Sequence, residues 1–182
     1  MRNSRYLVLL MFLVLTALAA AQDRSLTLAT STSVPTVDGV VGAGEYGAVL
    51  ELTRVSISMS RSADTLSIAI GATTRGWVAI GLGSNRMDGA TIFMGYVGND
   101  GKLQLKPQRG SGHTHADVTT DALIASAGKE ANGRTTIELR LKASSFIAKD
   151  QKELIGIVAT GNGDSFVSMH SFRSTWTAKL SD

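Results

Sequence analysis

The chain contains no cysteine, and this absence removes more chemistry than any other feature of its composition. Without thiols there can be no disulfide, no thiolate-held iron–sulfur cluster and no c-type haem attached through thioether bonds. Stability must then come from packing, and any cofactor must be held non-covalently or by other ligands. Proline is nearly as scarce, at two residues, and aromatic residues make up only 5% of the chain, so any aromatic ring outside the core has few counterparts. Sequence signatures of common enzymes are missing as well. There is no Gly-x-Ser-x-Gly elbow, no His-Glu-x-x-His, no phosphate loop and no dinucleotide fingerprint between a strand and a helix. These absences argue against an ordinary hydrolase and favour an electron-transfer or ligand-binding module over an enzyme.

An excess of one charge is also lacking. The formal charge of +3 owes part of its value to Arg2 and Arg5. These precede an apolar run over 6–18 and the small residues Ala19, Ala20 and Ala21, the pattern of an export signal cleaved before Gln22. The apolar run is short of the roughly 20 residues that span a bilayer. Retention as an anchor is the alternative reading, and no later segment is apolar enough to span. Without residues 1–21 the chain has 16 basic and 15 acidic residues, which gives no electrostatic footprint for nucleic acid. The expected compartment is secreted, periplasmic or otherwise extracellular. The remaining 161 residues suit one domain, expected over 35–182 after a Ser/Thr-rich lead-in over 22–34.

Along the chain, period-two alternation dominates and helical periodicity is rare. Val55, Ile57 and Met59 alternate with serines, residues 61–64 make a turn, and Leu66, Ile68 and Ile70 alternate again, which predicts an antiparallel hairpin with one buried face. Further strands are expected at 49–53, 77–82, 91–97, 102–106, 135–141, 154–160 and 175–180. Gly98-Asn99-Asp100-Gly101 supplies a hairpin turn, because Gly and Asn tolerate positive φ. Residues 142–153 suit a turn or short helix. About nine or ten short strands at this spacing predict an all-β protein, a two-sheet antiparallel β-sandwich whose inner faces form one apolar core.

Candidate site residues are few. Met87 lies in Gly83-Ser84-Asn85-Arg86-Met87-Asp88-Gly89-Ala90, a polar loop that follows Gly76-Trp77-Val78-Ala79-Ile80-Gly81-Leu82. A thioether there is either folded back onto the sheet as packing or offered as a soft ligand to a metal or haem. Met59, Met94 and Met169 sit in strand patterns that core packing explains. His170 ends the apolar run Ser165-Phe166-Val167-Ser168-Met169-His170 and is expected in drier surroundings, either packed under a loop or serving as a ligand. Facing each other, Met87 and His170 would make a Met/His pair of the kind that electron-transfer haems use. His113 and His115, two apart in a Gly/Ser/Thr loop, would point to one side of an extended segment. They could share copper or another divalent metal with Asp117, or be solvated loop side chains. Asp38, Glu45, Asp88, Asp117 and Glu138 are scattered carboxylates with no visible pairing, and surface positions account for most of them.

Val37-Asp38-Gly39 with Glu45-Tyr46, the Gly-Trp-Val-Ala-Ile-Gly strand with Met87-Asp88-Gly89-Ala90, Thr135-Thr136-Ile137-Glu138-Leu139, and the stretch from Ala159 to His170 together resemble a DOMON domain, the module found in dopamine β-monooxygenase and cellobiose dehydrogenase. The resemblance implies an immunoglobulin-like antiparallel β-sandwich of about nine to eleven strands that binds haem b or a sugar in a pocket between its sheets and loops. In haem-binding members the axial ligands are a methionine after the Gly-Trp strand and a histidine near the C-terminal strands, positions matched by Met87 and His170. Trp77, Phe93, Tyr96 and Phe172 would then be pocket-wall or core aromatics.

Two functions follow as expectations. One is an exported b-type electron-transfer module whose six-coordinate iron leaves no open site for substrate and whose electron partner is a separate protein. The other is a carbohydrate- or small-ligand-binding module, in which Trp77 or Tyr96 stacks on a sugar face and Asn85, Arg86 or Asp88 hydrogen-bonds its hydroxyls.

Overall fold

The computed structural model describes residues 23–182, so the leader expected at 1–21 lies outside the described residues. Twelve strands form two sheets. They are β1 (Ser25–Ala29), β2 (Ala48–Glu51), β3 (Val55–Arg61), β4 (Thr65–Ala72), β5 (Val78–Leu82), β6 (Thr91–Val97), β7 (Leu103–Ser111), β8 (Thr114–Asp117), β9 (Leu123–Ala131), β10 (Arg134–Lys142), β11 (Glu153–Thr160) and β12 (Phe172–Ser181). The larger sheet has the order β1-β12-β11-β5-β6-β7-β8 and the smaller β2-β3-β4-β10-β9. Every pairing of the strands is antiparallel except β1 with β12, which run parallel. The helix-friendly piece is a single 3-10 turn, Ala143–Ser145.

The sandwich is an arrangement that the alternation demands, since each sheet has an apolar face that only the other sheet can cover. Ile57, Met59, Leu66, Ile68, Ile70, Ile137 and Leu139 of the smaller sheet meet Ile80, Leu82, Phe93, Leu154, Val158 and Trp176 of the larger one. Each such side chain contributes about 1.5–3 kcal/mol on leaving water. The space between the sheets is thus filled by side chains.

The strand count exceeds the expectation of nine to eleven because three segments carry weak apolar signals. The lead-in over 22–34, an extended strand or linker by its sequence, supplies β1, whose Leu26 and Leu28 enter the core. Thr114–Asp117, read as part of a loop, is an edge strand exposed along its length. Leu123–Ala131 alternates mainly through Ala and Gly, whose small apolar faces give little contrast. The run around His170 is corrected in the other direction. Residues 161–171 contain turns and no strand, because Asn162-Gly163-Asp164 ends β11. Met169 accordingly stands 84% exposed instead of packing in the core, and Val167 stands 94% exposed.

The outside of the smaller sheet is crossed by the segment that precedes β2. Glu138, read among the scattered carboxylates, is 0% exposed there. One of its oxygens accepts the backbone N–H groups of Asp38 at 3.0 Å and Gly39 at 2.6 Å, and the other accepts the Tyr46 hydroxyl at 2.7 Å. Gly39 has φ +88°, a conformation costly for side-chain-bearing residues, so the Asp-Gly pair allows the backbone to turn into the carboxylate. Burial, then the Glu138 hydrogen bond and charge, push the Tyr46 phenol far above its ordinary range.

Candidate functional site

The outer face of the larger sheet is apolar too, which is unusual for a surface unless something covers it. Alternation places Trp77, Ala79 and Gly81 opposite the core-facing Val78, Ile80 and Leu82. With Ala90, Ile92 and Met94, Trp77 and Ala79 form a second buried cluster, flanked by Met87, Tyr96, Ile157, Ala159 and Phe166. Two loops cover this face, one between β5 and β6 and one between β11 and β12.

The first loop carries Met87 and is tied to the β7–β8 hairpin. The Gly89 N–H donates to the Gly110 carbonyl at 3.1 Å, Gly110 N–H donates to Ala90 at 3.0 Å, and Ala90 N–H donates to the Met87 carbonyl at 3.1 Å. The Gly112 N–H donates to Asp88 Oδ1 at 2.9 Å. A Cβ at Gly110 would overlap the Met87 carbonyl, so only glycine permits this approach. The second loop carries His170 and is tied to Trp77. Its indole Nε1 donates to Ser168 Oγ at 2.9 Å, while Gly161 N–H donates to the Trp77 carbonyl at 2.9 Å. Ser171 N–H donates to the Thr160 carbonyl at 2.7 Å.

Between the loops lies a cavity of about 560 Å³. This is within the usual range for small-molecule and cofactor sites. Ile157 and Ala159 of β11 and Thr175 of β12 contribute to its floor, Met87 lines it from the first loop and His170 from the second, each half-buried. Asn85, Arg86 and Asp88 line it as well, as do Arg24, His113 and Arg173. Arg24 and Arg173 have no signal in the local sequence, because they come from the chain's two ends and meet only through the β1–β12 pairing.

Trp77 and Tyr96 are not among the lining residues. Trp77 is 4% exposed, and Tyr96 packs on Phe166 with ring centroids 4.9 Å apart. Phe93 is in the inter-sheet core and Phe172 packs against it. His113 and His115 part company at the hairpin: His113 is in the turn and lines the cavity, whereas His115 is on β8 opposite Gly110. Asp117 is engaged elsewhere. Gln108 first and Lys106 second hydrogen-bond its carboxylate and hold it below its ordinary range. Among the described residues no three His, Asp or Glu side chains converge as a metal site. Nor is any helix among them long and apolar enough to cross a membrane.

The donor chemistry of the cavity fits a haem. It offers one thioether, two imidazoles, an apolar floor and three guanidiniums. Compared with solved structures, the chain is similar to the cytochrome domain of Myriococcum thermophilum cellobiose dehydrogenase, with TM-score 0.58 and 12% identity over 83% of this chain and 90% of that one. It is also similar to the cytochrome b domain of pyranose dehydrogenase from Coprinopsis cinerea, with TM-score 0.52 and 11% identity over 68% and 75%. A family 9 carbohydrate-binding module from Caldicellulosiruptor kristjanssonii in complex with cellotriose matches at TM-score 0.51 and 11% identity over 86% and 93%. These likenesses establish a fold similar to both cytochrome b domains and carbohydrate-binding modules. Compared by sequence with curated proteins, the chain matches none. The profile of the DOMON domain matches residues 51–155, which run from the end of β2 into β11 and include the Met87 loop, and the chain therefore belongs to the DOMON domain family.

Proposed function

We propose that this chain is an exported haem b-binding module for electron transfer, with Met87 and His170 as the axial ligands. The observation that carries the reading is that a loop thioether and a loop imidazole, distant in sequence, line one cavity over an apolar floor. Haem would supply a reversible one-electron change at its iron, with thioether ligation favouring the reduced state. Met87 would offer its Sδ and His170 a ring nitrogen, while the apolar side chains of Ile157 and Ala159 would keep water from the bound group. The hydrogen bonds at Gly89, Gly110 and Gly112 hold the Met87 loop, and the Trp77–Ser168 bond holds the His170 loop. Neither ligand therefore has to be ordered at the moment of binding. With both axial positions filled by the chain, the module would pass electrons to a separate redox protein and carry out no substrate chemistry. The Arg2/Arg5 leader pattern supports export.

The second reading, a carbohydrate-binding module without redox activity, is favoured by the likeness to a module solved with cellotriose and by Asn85, Arg86 and Asp88 on the cavity. Among the described residues no phenyl, phenol or indole ring lines this cavity to serve as a stacking platform. Absorption spectra of residues 22–182 titrated with hemin, oxidised and dithionite-reduced, separate the readings. A sharp Soret band with resolved reduced α and β bands, lost in Met87→Ala and in His170→Ala, is expected. A featureless visible spectrum, together with binding to polysaccharide, would leave the cavity to a sugar.

A further inference from the structure

The charges on the cavity are distributed unlike those of the whole chain. The sequence has 18 basic and 15 acidic residues, yet three arginines and one carboxylate line this cavity. The single carboxylate, Asp88, already accepts the Gly112 N–H through Oδ1. The ion pairs among the described residues are Lys102–Asp100, Lys106–Asp117 and Lys142–Asp121, and none involves Arg24, Arg86 or Arg173. Separate elements bring these three to one rim. Arg24 precedes β1, its carbonyl accepting Thr177 N–H at 2.9 Å. Arg86 is on the β5–β6 loop beside Met87, and Arg173 is on β12 opposite Ala159. All three are exposed, while the floor beside them is apolar.

Three like charges set against a single carboxylate raise the free energy of the empty rim, and an anion relieves it. Each of these cations is an arginine, whose planar fork of N–H donors matches a carboxylate two bonds at a time, which a lysine ammonium does not do. We infer that Arg24, Arg86 and Arg173 form a carboxylate-recognition rim, so that the ligand of this cavity joins an apolar body to one or more carboxylates. The inference rests on the assignment of this cavity as the ligand site and narrows what enters it. The carboxylates come either from porphyrin propionates or from the uronates of an acidic sugar, and a neutral cello-oligosaccharide is the wrong ligand.

Four probes test this on the chain over residues 22–182 at low ionic strength: hemin, hemin dimethyl ester, oligogalacturonate and a cello-oligosaccharide of equal length. At least one acidic probe should bind about tenfold or more tightly than its neutral counterpart, the equivalent of roughly 1.4 kcal/mol. That preference should shrink in Arg86→Gln and vanish in the Arg24→Gln/Arg86→Gln/Arg173→Gln triple variant. Arg86→Gln alters one exposed loop side chain, so its result does not depend on the triple variant folding. Equal binding of acid and ester and of acidic and neutral sugar, a preference that survives the triple substitution, or no binding of any probe overturns the inference. Equal binding of hemin and its ester with a Met/His spectrum would remove the rim and leave the haem reading standing. A preference for oligogalacturonate without any hemin spectrum would do the reverse.

Discussion

The two outer faces of the sandwich each bear a cavity of nearly the same size, about 560 Å³ over the larger sheet and about 550 Å³ over the smaller. Their chemistry has little in common. The second is lined by Ser56, Ser58 and Thr136 hydroxyls, the glycine-rich turn before β2, and Lys129 and Arg134. Arg134 there is committed to Ser56, lying across the space that the missing side chain of Gly71 leaves open. The first gathers Met87, His113 and His170 with three arginines that form no ion pair among the described residues. Volume therefore does not distinguish the two faces, and the identity of the lining atoms does. The faces are also fastened differently. The smaller sheet's cover is held by the buried Glu138 carboxylate and by Arg140, which donates to the Pro35 carbonyl, whereas the larger sheet's cover depends on a close glycine approach and an indole hydrogen bond, and these set the position of the proposed ligands.

The sharpest way to break this contrast is to remove the carboxylate. Glu138→Ala strips the partners from two backbone N–H groups and the Tyr46 hydroxyl, and should cost about 3–5 kcal/mol in denaturant unfolding. Hemin binding by the folded fraction should be unchanged, because Glu138 is on the opposite sheet. Gly110→Ala attacks the other face. Displacing the Met87 carbonyl should cost about 1–3 kcal/mol and weaken hemin binding by about tenfold or more, measured by Soret titration.

Tyr46→Phe leaves one Glu138 oxygen short of a donor and should cost about 1–2 kcal/mol at pH 7. It also gives a pH signature. The native phenol keeps its proton well above the ordinary value of 10.0, so above that pH the unfolded chain binds fewer protons than the folded one. The stability contributed by the raised phenol is complete below about pH 10 and declines as pH rises further. Unfolding curves from pH 8 to 11 should therefore fall more steeply for the wild type than for Tyr46→Phe. The smallest effect is expected from Ser168→Ala, which deprives the Trp77 indole N–H of its acceptor. A loss of about 0.5–1 kcal/mol should accompany a reduced low-spin fraction in the hemin spectrum, since the His170 loop loses its tie.

Where side-chain alternation was strong, the fold was legible in the sequence. The β3–β4 hairpin pairs Ile57 with Ile70 and Met59 with Ile68, as the two alternating runs suggested. Strand β6 spans Thr91–Val97, the segment expected. Strand β9 was not legible, because alanine and glycine give almost no contrast between a buried and an exposed side. Met87 was legible as an odd thioether in a polar loop. His170 drew notice by an apolar run that proved to be a loop, with Val167 and Met169 turned out to water.

By itself the sequence determined the β class, the main hairpins, the absence of thiol chemistry and the short set of residues able to ligate a metal, because these depend on residue identity and local period. Only the tertiary structure decided which sheet face is covered and by what. A period of two sorts side chains into two sides without saying which side meets another layer. The order β1-β12-β11-β5-β6-β7 joins strands far apart in the chain, and this brings Arg24, Met87, His170 and Arg173 to one rim. The same long-range closure buries Glu138, whose neighbours in sequence give no sign that two backbone N–H groups and a phenol about a hundred residues earlier will surround it.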